Sequence, residues 1–235
     1  MKTIGLLGGM SWESTQTYYR LLNQQVGRAL GGFHSAKIVL YSVDFAEIEA
    51  LQRKGDWQAM GTILAGAAQR LEAAGADCLL IGTNTMHKVA DEVAQAVSMP
   101  LLHIAEATAD ALVRDGVTCV GLLGTRFTME QAFYRERLEA RGIEVVVPDA
   151  NQRETVHRII FEELCKGINT ADSKAAYLEV IDTLTERGAQ GVVLGCTEIG
   201  LLVKPADTAV ALYDTTDIHA AQAVAWALQD VEAGT

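Results

Sequence analysis

The sequence predicts an α/β protein made of two similar Rossmann-like domains with parallel sheets. Three observations predict it: short Val, Ile and Leu runs alternate with longer amphipathic stretches, the first half of the chain repeats in the second, and small polar residues follow the apolar runs directly. Strands of a parallel sheet are buried on both faces and so read as continuous apolar runs between helices. The 235 residues, 49% hydrophobic, suffice for two cores of roughly 100 residues each.

Strands are expected near 3–8, 37–43, 77–82, 100–104, 117–123, 143–147, 190–195 and 208–213, with helices filling most gaps. From Trp57 to Ala74, the residues Trp57, Met60, Ile63, Leu64, Ala67, Ala68 and Leu71 recur at helical spacing, and Gly75 supplies the stop. The stretch "LLIGTNTMHK", Leu79 to Lys88, reads as a buried strand running into a helix with Thr83, Asn84 and Thr85 at the junction. A helix is expected over 128–141, ended by Gly142, and another over 152–166.

The repeat has three anchors. "IGLLGG" from Ile4 matches "VGLLGT" from Val120, 116 positions on, and Tyr18 and Leu22 find Tyr134 and Leu138 at that offset. "GADCLLIGTNT" from Gly75 matches "GAQGVVLGCTE" from Gly188, 113 positions on. Pro100–His103 matches Val210–Tyr213 more weakly, at 110. Anchors in one order with a slow drift imply two halves of one ancestry. The expected domains are 1–104 plus 214–235, and 105–213.

Halves related by a pseudo-two-fold axis would place equivalent strand ends on either side of an interface, and open α/β sheets bind ligands beyond the carboxyl ends of their strands. Thr83 and Cys196 are equivalent positions, so an active site between the domains would have one on each wall. Weak proton carriers on opposite walls suit inversion at a carbon, since a proton taken from one face is replaced on the other. Backbone N–H groups and the hydroxyls of Thr85 and Thr197 are suited to a carboxylate. Met10 and Thr125 follow the first strand of each half and are candidate lining residues.

Other classes are disfavoured. A formal charge of −11 argues against nucleic acid as partner. No apolar run approaches the roughly 20 residues of a membrane span, and the opening "MKTIGLLGGM" does not read as a signal peptide. Cys78, Cys119, Cys165 and Cys196 show no paired or ligand-like spacing, and the five histidines no HExxH pattern, so no disulfide framework or metal site is expected. Neither GxGxxG nor a Walker loop is present, so no nucleotide cofactor is expected. A cytoplasmic location is the expectation.

Through "GLLGGMSWEST" (Gly5–Thr15), "TNTMHKVAD" (Thr83–Asp91), "LLGTRFTM" (Leu122–Met129), "IIFEEL" (Ile159–Leu164) and "LGCTEIGLLV" (Leu194–Val203), the chain resembles the aspartate/glutamate racemases. The resemblance implies a cofactor-independent isomerase acting on a small acidic amino acid, a site at a domain interface, a homodimer, and a catalytic pair at Thr83 and Cys196. It also points to Gln52 as a substrate contact; Asn84, Thr85 and Thr197, at the strand ends, are expected to hold the α-carboxylate and amine. The common pattern has cysteine at both catalytic positions; Thr83 makes this chain similar to a Thr/Cys branch that acts on L-aspartate and L-glutamate. A thiol, with an ordinary pKa of about 8.5, serves as base once a cationic or dipolar setting lowers that value, whereas a hydroxyl does not. Cys196 is thus the expected base, and Thr83 the donor that returns a proton from water. The alternatives are a dicarboxylate isomerase or decarboxylase using Cys196, and a non-catalytic amino-acid binder. His87, in the "NTxH" element, is either a loop-holding histidine or one that tunes the thiol.

Overall fold

The computed structural model describes residues 1–231. Its contacts divide the chain into two compact units, Met1–His103 together with the segment from His219 onward, and Ile104–Ile218.

In the first unit, β1 (Ile4–Gly8), α1 (Trp12–Leu30), β2 (Ile38–Ser42), α2 (Phe45–Lys54), α3 (Trp57–Ala73), β3 (Cys78–Ile81), a 3₁₀ turn (Thr85–Val89) and α4 (Ala90–Gln95) follow one another. The sheet has the order β2-β1-β3, all parallel, with Leu7 opposite Tyr41 and Ile81. Side-chain alternation divides the core. Ile4, Leu6, Cys78 and Leu80 pack with Tyr18 and Leu22 of α1, while Leu7, Leu79 and Ile81 pack with Met60, Leu64 and Leu71 of α3. Each such fully buried side chain contributes about 1.5–3 kcal/mol.

The second unit contains α5 (Ile104–Arg114), β4 (Cys119–Gly124), α6 (Arg126–Glu130), α7 (Ala132–Glu139), β5 (Glu144–Val146), α8 (Ala150–Glu162), a 3₁₀ turn (Leu164–Lys166), α9 (Ala171–Glu186), β6 (Gly191–Gly195), α10 (Ile199–Leu202), a 3₁₀ turn (Pro205–Asp207) and β7 (Ala211–Asp214). Its parallel sheet runs β5-β4-β6-β7. The last helix, α11 (Thr215–Ala227), begins in this unit, and from His219 its residues belong to the first. Val120, Leu122 and Val193 pack towards α5 and α7; Leu123, Val192 and Leu194 pack towards α8 and α9.

The repeat is visible in packing as well as in order. A Cβ on Gly5 would lie 2.8 Å from the Cys78 carbonyl oxygen and from Ala76 Cβ, and one on Gly121 would lie 2.9 Å from Leu184 Cδ1. Glycine at the repeat-equivalent positions Gly5 of β1 and Gly121 of β4 therefore lets a helix or its following turn lie close to the sheet in both units.

Three expectations are corrected. The strand at 100–104 reduces to a single parallel bridge between Leu79 and Leu101, held by Leu79 N–H to the Pro100 carbonyl (2.9 Å) and Leu102 N–H to the Leu79 carbonyl (2.9 Å). Pro100 has no N–H for a longer ladder, and α5 already starts at Ile104. The helix at 128–141 breaks at Gln131, whose backbone is extended. The break sends the segment to two faces of the sheet: Met129 packs with α8 and α9, Tyr134 and Leu138 with α5. The 152–166 helix likewise ends at Glu162 and continues as the 3₁₀ turn.

Candidate functional site

Each unit carries part of the expected site at the carboxyl edge of its sheet. In the first unit, β3 ends at Ile81 and the Gly82 N–H continues the ladder to the Leu7 carbonyl (2.8 Å). Beyond it, Thr83 is half-buried, while Asn84 and Thr85 are buried. The Ser14 hydroxyl donates to the Gly82 carbonyl (2.9 Å), and His87 Nδ1–H donates to the Thr83 carbonyl (2.8 Å). Two consecutive carbonyls at the strand end are thus held by side chains from α1 and from the 3₁₀ turn.

The neighbouring strand β1 leads into Gly9, Met10 and Ser11. Thr15 Oγ1 accepts from Gly9 N–H (2.7 Å) and donates to the Ser11 carbonyl (2.9 Å), and Ser11 Oγ caps α1 by accepting from Ser14 N–H (3.3 Å). Met10 is buried and packs in the cluster formed with α3. Gln52, the expected substrate contact, and Arg53 lie on α2: Gln52 is buried, and Arg53 is exposed and paired with Glu49 (2.9 Å). Gly55, in left-handed conformation, ends the helix only after both residues.

In the second unit, β6 ends at Gly195 and Cys196, Thr197 and Glu198 follow, all buried. The Cys196 thiol donates to Glu198 Oε2 (3.0 Å), and the Thr197 hydroxyl donates to the same oxygen (2.6 Å). On the adjacent strand, where Gly124 pairs with Gly195, Thr125 caps α6 by accepting from Thr128 N–H (3.4 Å). The site residues of this unit therefore gather on two neighbouring strand ends.

The electrostatics differ from the cationic setting that a ready-made thiolate needs. Burial first, and the Glu198 carboxylate second, push the Cys196 thiol well above its ordinary range. Cys196 is accordingly a protonated, hydrogen-bonded thiol. Cys78, within β3, is pushed up to about 12 by burial, in keeping with a core role. Cys165 is half-buried and packs against the cluster that includes Cys196. Glu198 is the residue that sequence reasoning passed over; its signal was a carboxylate two positions after the cysteine in "GCTE", where the repeat has Thr85. Asp214, at the end of β7, is raised by burial; its Oδ1 accepts from the N–H groups of Thr216 (2.9 Å) and Asp217 (3.3 Å), and its Oδ2 lies against Gly200.

His87 is buried, and its ring meets that of His103 edge-on, with centroids 4.5 Å apart. His219 stands 5.8 Å from His87 and joins Tyr18 to the Leu102 carbonyl. Among the described residues, no group of three or more His, Cys, Asp or Glu is arranged to hold a metal ion. No described helix is long and apolar enough to cross a membrane.

Residues 7–223 match the model of the Asp/Glu/Hydantoin racemase family. The chain belongs to that family. A candidate Asp/Glu racemase from Yersinia pestis is 57% identical in sequence, with a TM-score of 0.91 over 97% of this chain and 100% of its own. An aspartate racemase homologue from Pyrococcus horikoshii OT3 is 36% identical, with a TM-score of 0.85 over 97% and 99% of the two chains. The broad specificity amino-acid racemase RacX of Bacillus subtilis (strain 168) is 24% identical over 219 residues, 91% of this chain and 92% of its own. Family membership extends over both sheets, so both strand-end clusters lie within the matched region.

Proposed function

We propose that the protein is a cofactor-independent amino-acid racemase that inverts L-aspartate or L-glutamate, with Cys196 taking the α-proton and Thr83 returning one. The thiol–carboxylate pair at the end of β6 carries this reading. Glu198 Oε2 receives the Cys196 proton, the thiolate so formed removes the α-proton to regenerate the thiol, and the Thr83 hydroxyl delivers a proton relayed from water to the opposite face of the carbanion; the proton left on Glu198 then passes to solvent and neutralises the hydroxide left by that water, so the site returns to its starting state. A thiol raised by burial and a neighbouring carboxylate needs a cation to ionise, and the substrate's own α-ammonium supplies one on binding. The base is thereby coupled to the presence of its substrate.

The repeat supports the pairing, because Thr83 and Cys196 end equivalent strands of two matched sheets. Asn84 and Thr85, with Met10 and Gln52, line the substrate on the Thr83 side, and Thr125 and Thr197 on the Cys196 side. A difference in basicity between the two carriers makes the L-to-D direction faster to initiate, while the equilibrium stays at one to one. The active form is a homodimer in the cytoplasm.

The test is incubation of the L- and D-forms of aspartate and glutamate in D₂O, following α-proton loss by NMR and chirality by chromatography. The reading expects deuterium to enter L-substrates faster than D-substrates, D-product to form, and Cys196→Ser to abolish both. Thr83→Cys should speed the D-to-L direction. Absence of α-deuterium from all four substrates would overturn the reading and direct the same protein to amino-free dicarboxylates.

A further inference from the structure

We infer that His87 is a positioning residue for Thr83, its Nδ1–H fixing the Thr83 carbonyl and through it the place of the hydroxyl that returns the proton. The inference rests on the racemase reading and assigns a role to a buried imidazole that this reading leaves unused.

A peptide unit is planar, so holding its carbonyl oxygen holds the whole plane. The Gly82 carbonyl belongs to the plane before the Thr83 Cα and is held by the Ser14 hydroxyl at 2.9 Å. The Thr83 carbonyl belongs to the plane after it and is held by His87 Nδ1 at 2.8 Å. With both planes held, φ and ψ of Thr83 are set, and only χ1 remains to place its hydroxyl. That torsion is itself stiff in a β-branched residue.

His87 is itself firmly seated. It is 3% exposed, its backbone N–H donates to the Asn84 carbonyl (3.1 Å), and its ring lies against His103 and His219. His219 is anchored in turn by the Tyr18 hydroxyl (2.8 Å) and the Leu102 carbonyl (2.7 Å). The position of Thr83 is therefore referred to α1, α11 and the bridge segment beside β3.

The other half of the repeat lacks this device. At the offset of 113 that relates Thr83 to Cys196, His87 falls on Gly200 and Thr85 on Glu198. The Cys196 carbonyl is held by a backbone donor, Ile199 N–H at 3.1 Å. The thiol half thus has a carboxylate to accept its proton, and the hydroxyl half has an imidazole to hold its backbone. A hydroxyl that barely ionises depends more on placement than a thiol does, since its contribution lies in standing at hydrogen-bond reach of the carbanion.

The experiment compares His87→Asn, His87→Gln and His87→Ala with the wild type in D₂O, using L-aspartate and L-glutamate. Asn offers an amide donor where Nδ1 stands, Gln offers one where Nε2 stands, and Ala offers none. Deuterium entry into the remaining L-substrate reports the Cys196 side, and D-product formation reports the Thr83 side. His87→Gln and His87→Ala are expected to lower kcat for D-product about 10- to 100-fold with KM little changed, while L-exchange persists. His87→Asn should restore inversion to within about threefold of wild type. Should Ala fail to fold, as checked by circular dichroism, the Asn–Gln contrast decides. Equal loss of exchange and inversion in Asn and Gln, or inversion by Gln at the wild-type rate, would overturn the role of His87 alone. A wild type showing neither exchange nor inversion would overturn the racemase reading and this role with it.

Discussion

The buried imidazole of His219 makes a measurable demand on folding in acid. The side chain is fully buried, its Nε2–H donates to the Leu102 carbonyl at 2.7 Å, and its Nδ1 accepts from the Tyr18 hydroxyl at 2.8 Å. Burial lowers its pKa from 6.5 to about 4, with the Leu102 carbonyl opposing that shift. Above pH 6.5 the imidazole is neutral in both folded and unfolded chains and adds no pH dependence. As the pH falls from 6.5 towards 4, the unfolded chain binds a proton that the folded chain refuses, so stability drops by about 1.4 kcal/mol per pH unit. The loss reaches about 2 kcal/mol by about pH 5 and levels off below the folded pKa at about 3 kcal/mol.

The substitution His219→Gln keeps an amide donor for the Leu102 carbonyl and removes the titration. Urea unfolding followed by circular dichroism, near pH 7.5 and near pH 5, yields the pH effect for each protein. The wild type should lose about 2 kcal/mol more than the variant between the two conditions. Equal losses would refute the placement of a neutral His219 between Tyr18 and Leu102.

Further outcomes concern the strand ends and the sheet. Glu198→Gln removes the negative neighbour of the Cys196 thiol and so lowers its pKa; alkylation by iodoacetamide should speed up while α-proton exchange slows, and slower alkylation would count against the hydrogen-bonded pair. Ser14→Ala deletes the donor to the Gly82 carbonyl and should cost about 1 kcal/mol in chemical unfolding. Gly5→Ala sets a methyl 2.8 Å from the Cys78 carbonyl and should cost about 1–3 kcal/mol in the same assay, with Gly121→Ala milder because Leu184 can rotate away.

Much of the architecture was legible in residue order because parallel-sheet strands announce themselves as apolar runs. Gly8 of "IGLLGG" and Gly124 of "VGLLGT" close the equivalent strands β1 and β4 in the two halves. The fourth strand of the first half was misread, since its apolar pattern says nothing of how few ladder bonds Pro100 and the early start of α5 allow. The break at Gln131 was invisible for a related reason: the stretch from Thr128 to Arg141 has no Pro or Gly to mark a stop, and only the sheet, with a core on each face, requires Met129 and Tyr134 to part.

The α/β class, the internal repeat and the equivalence of Thr83 with Cys196 are written in the residue order, because they depend on periodicity and spacing alone. That Cys196 is a buried thiol donating to Glu198, and that Ser14 and His87 hold the carbonyls on either side of the Thr83 Cα, emerges only in the folded chain. Burial and hydrogen-bond direction depend on which side chains converge in space; Ser14 lies 68 positions from Gly82, a pairing that linear order does not record.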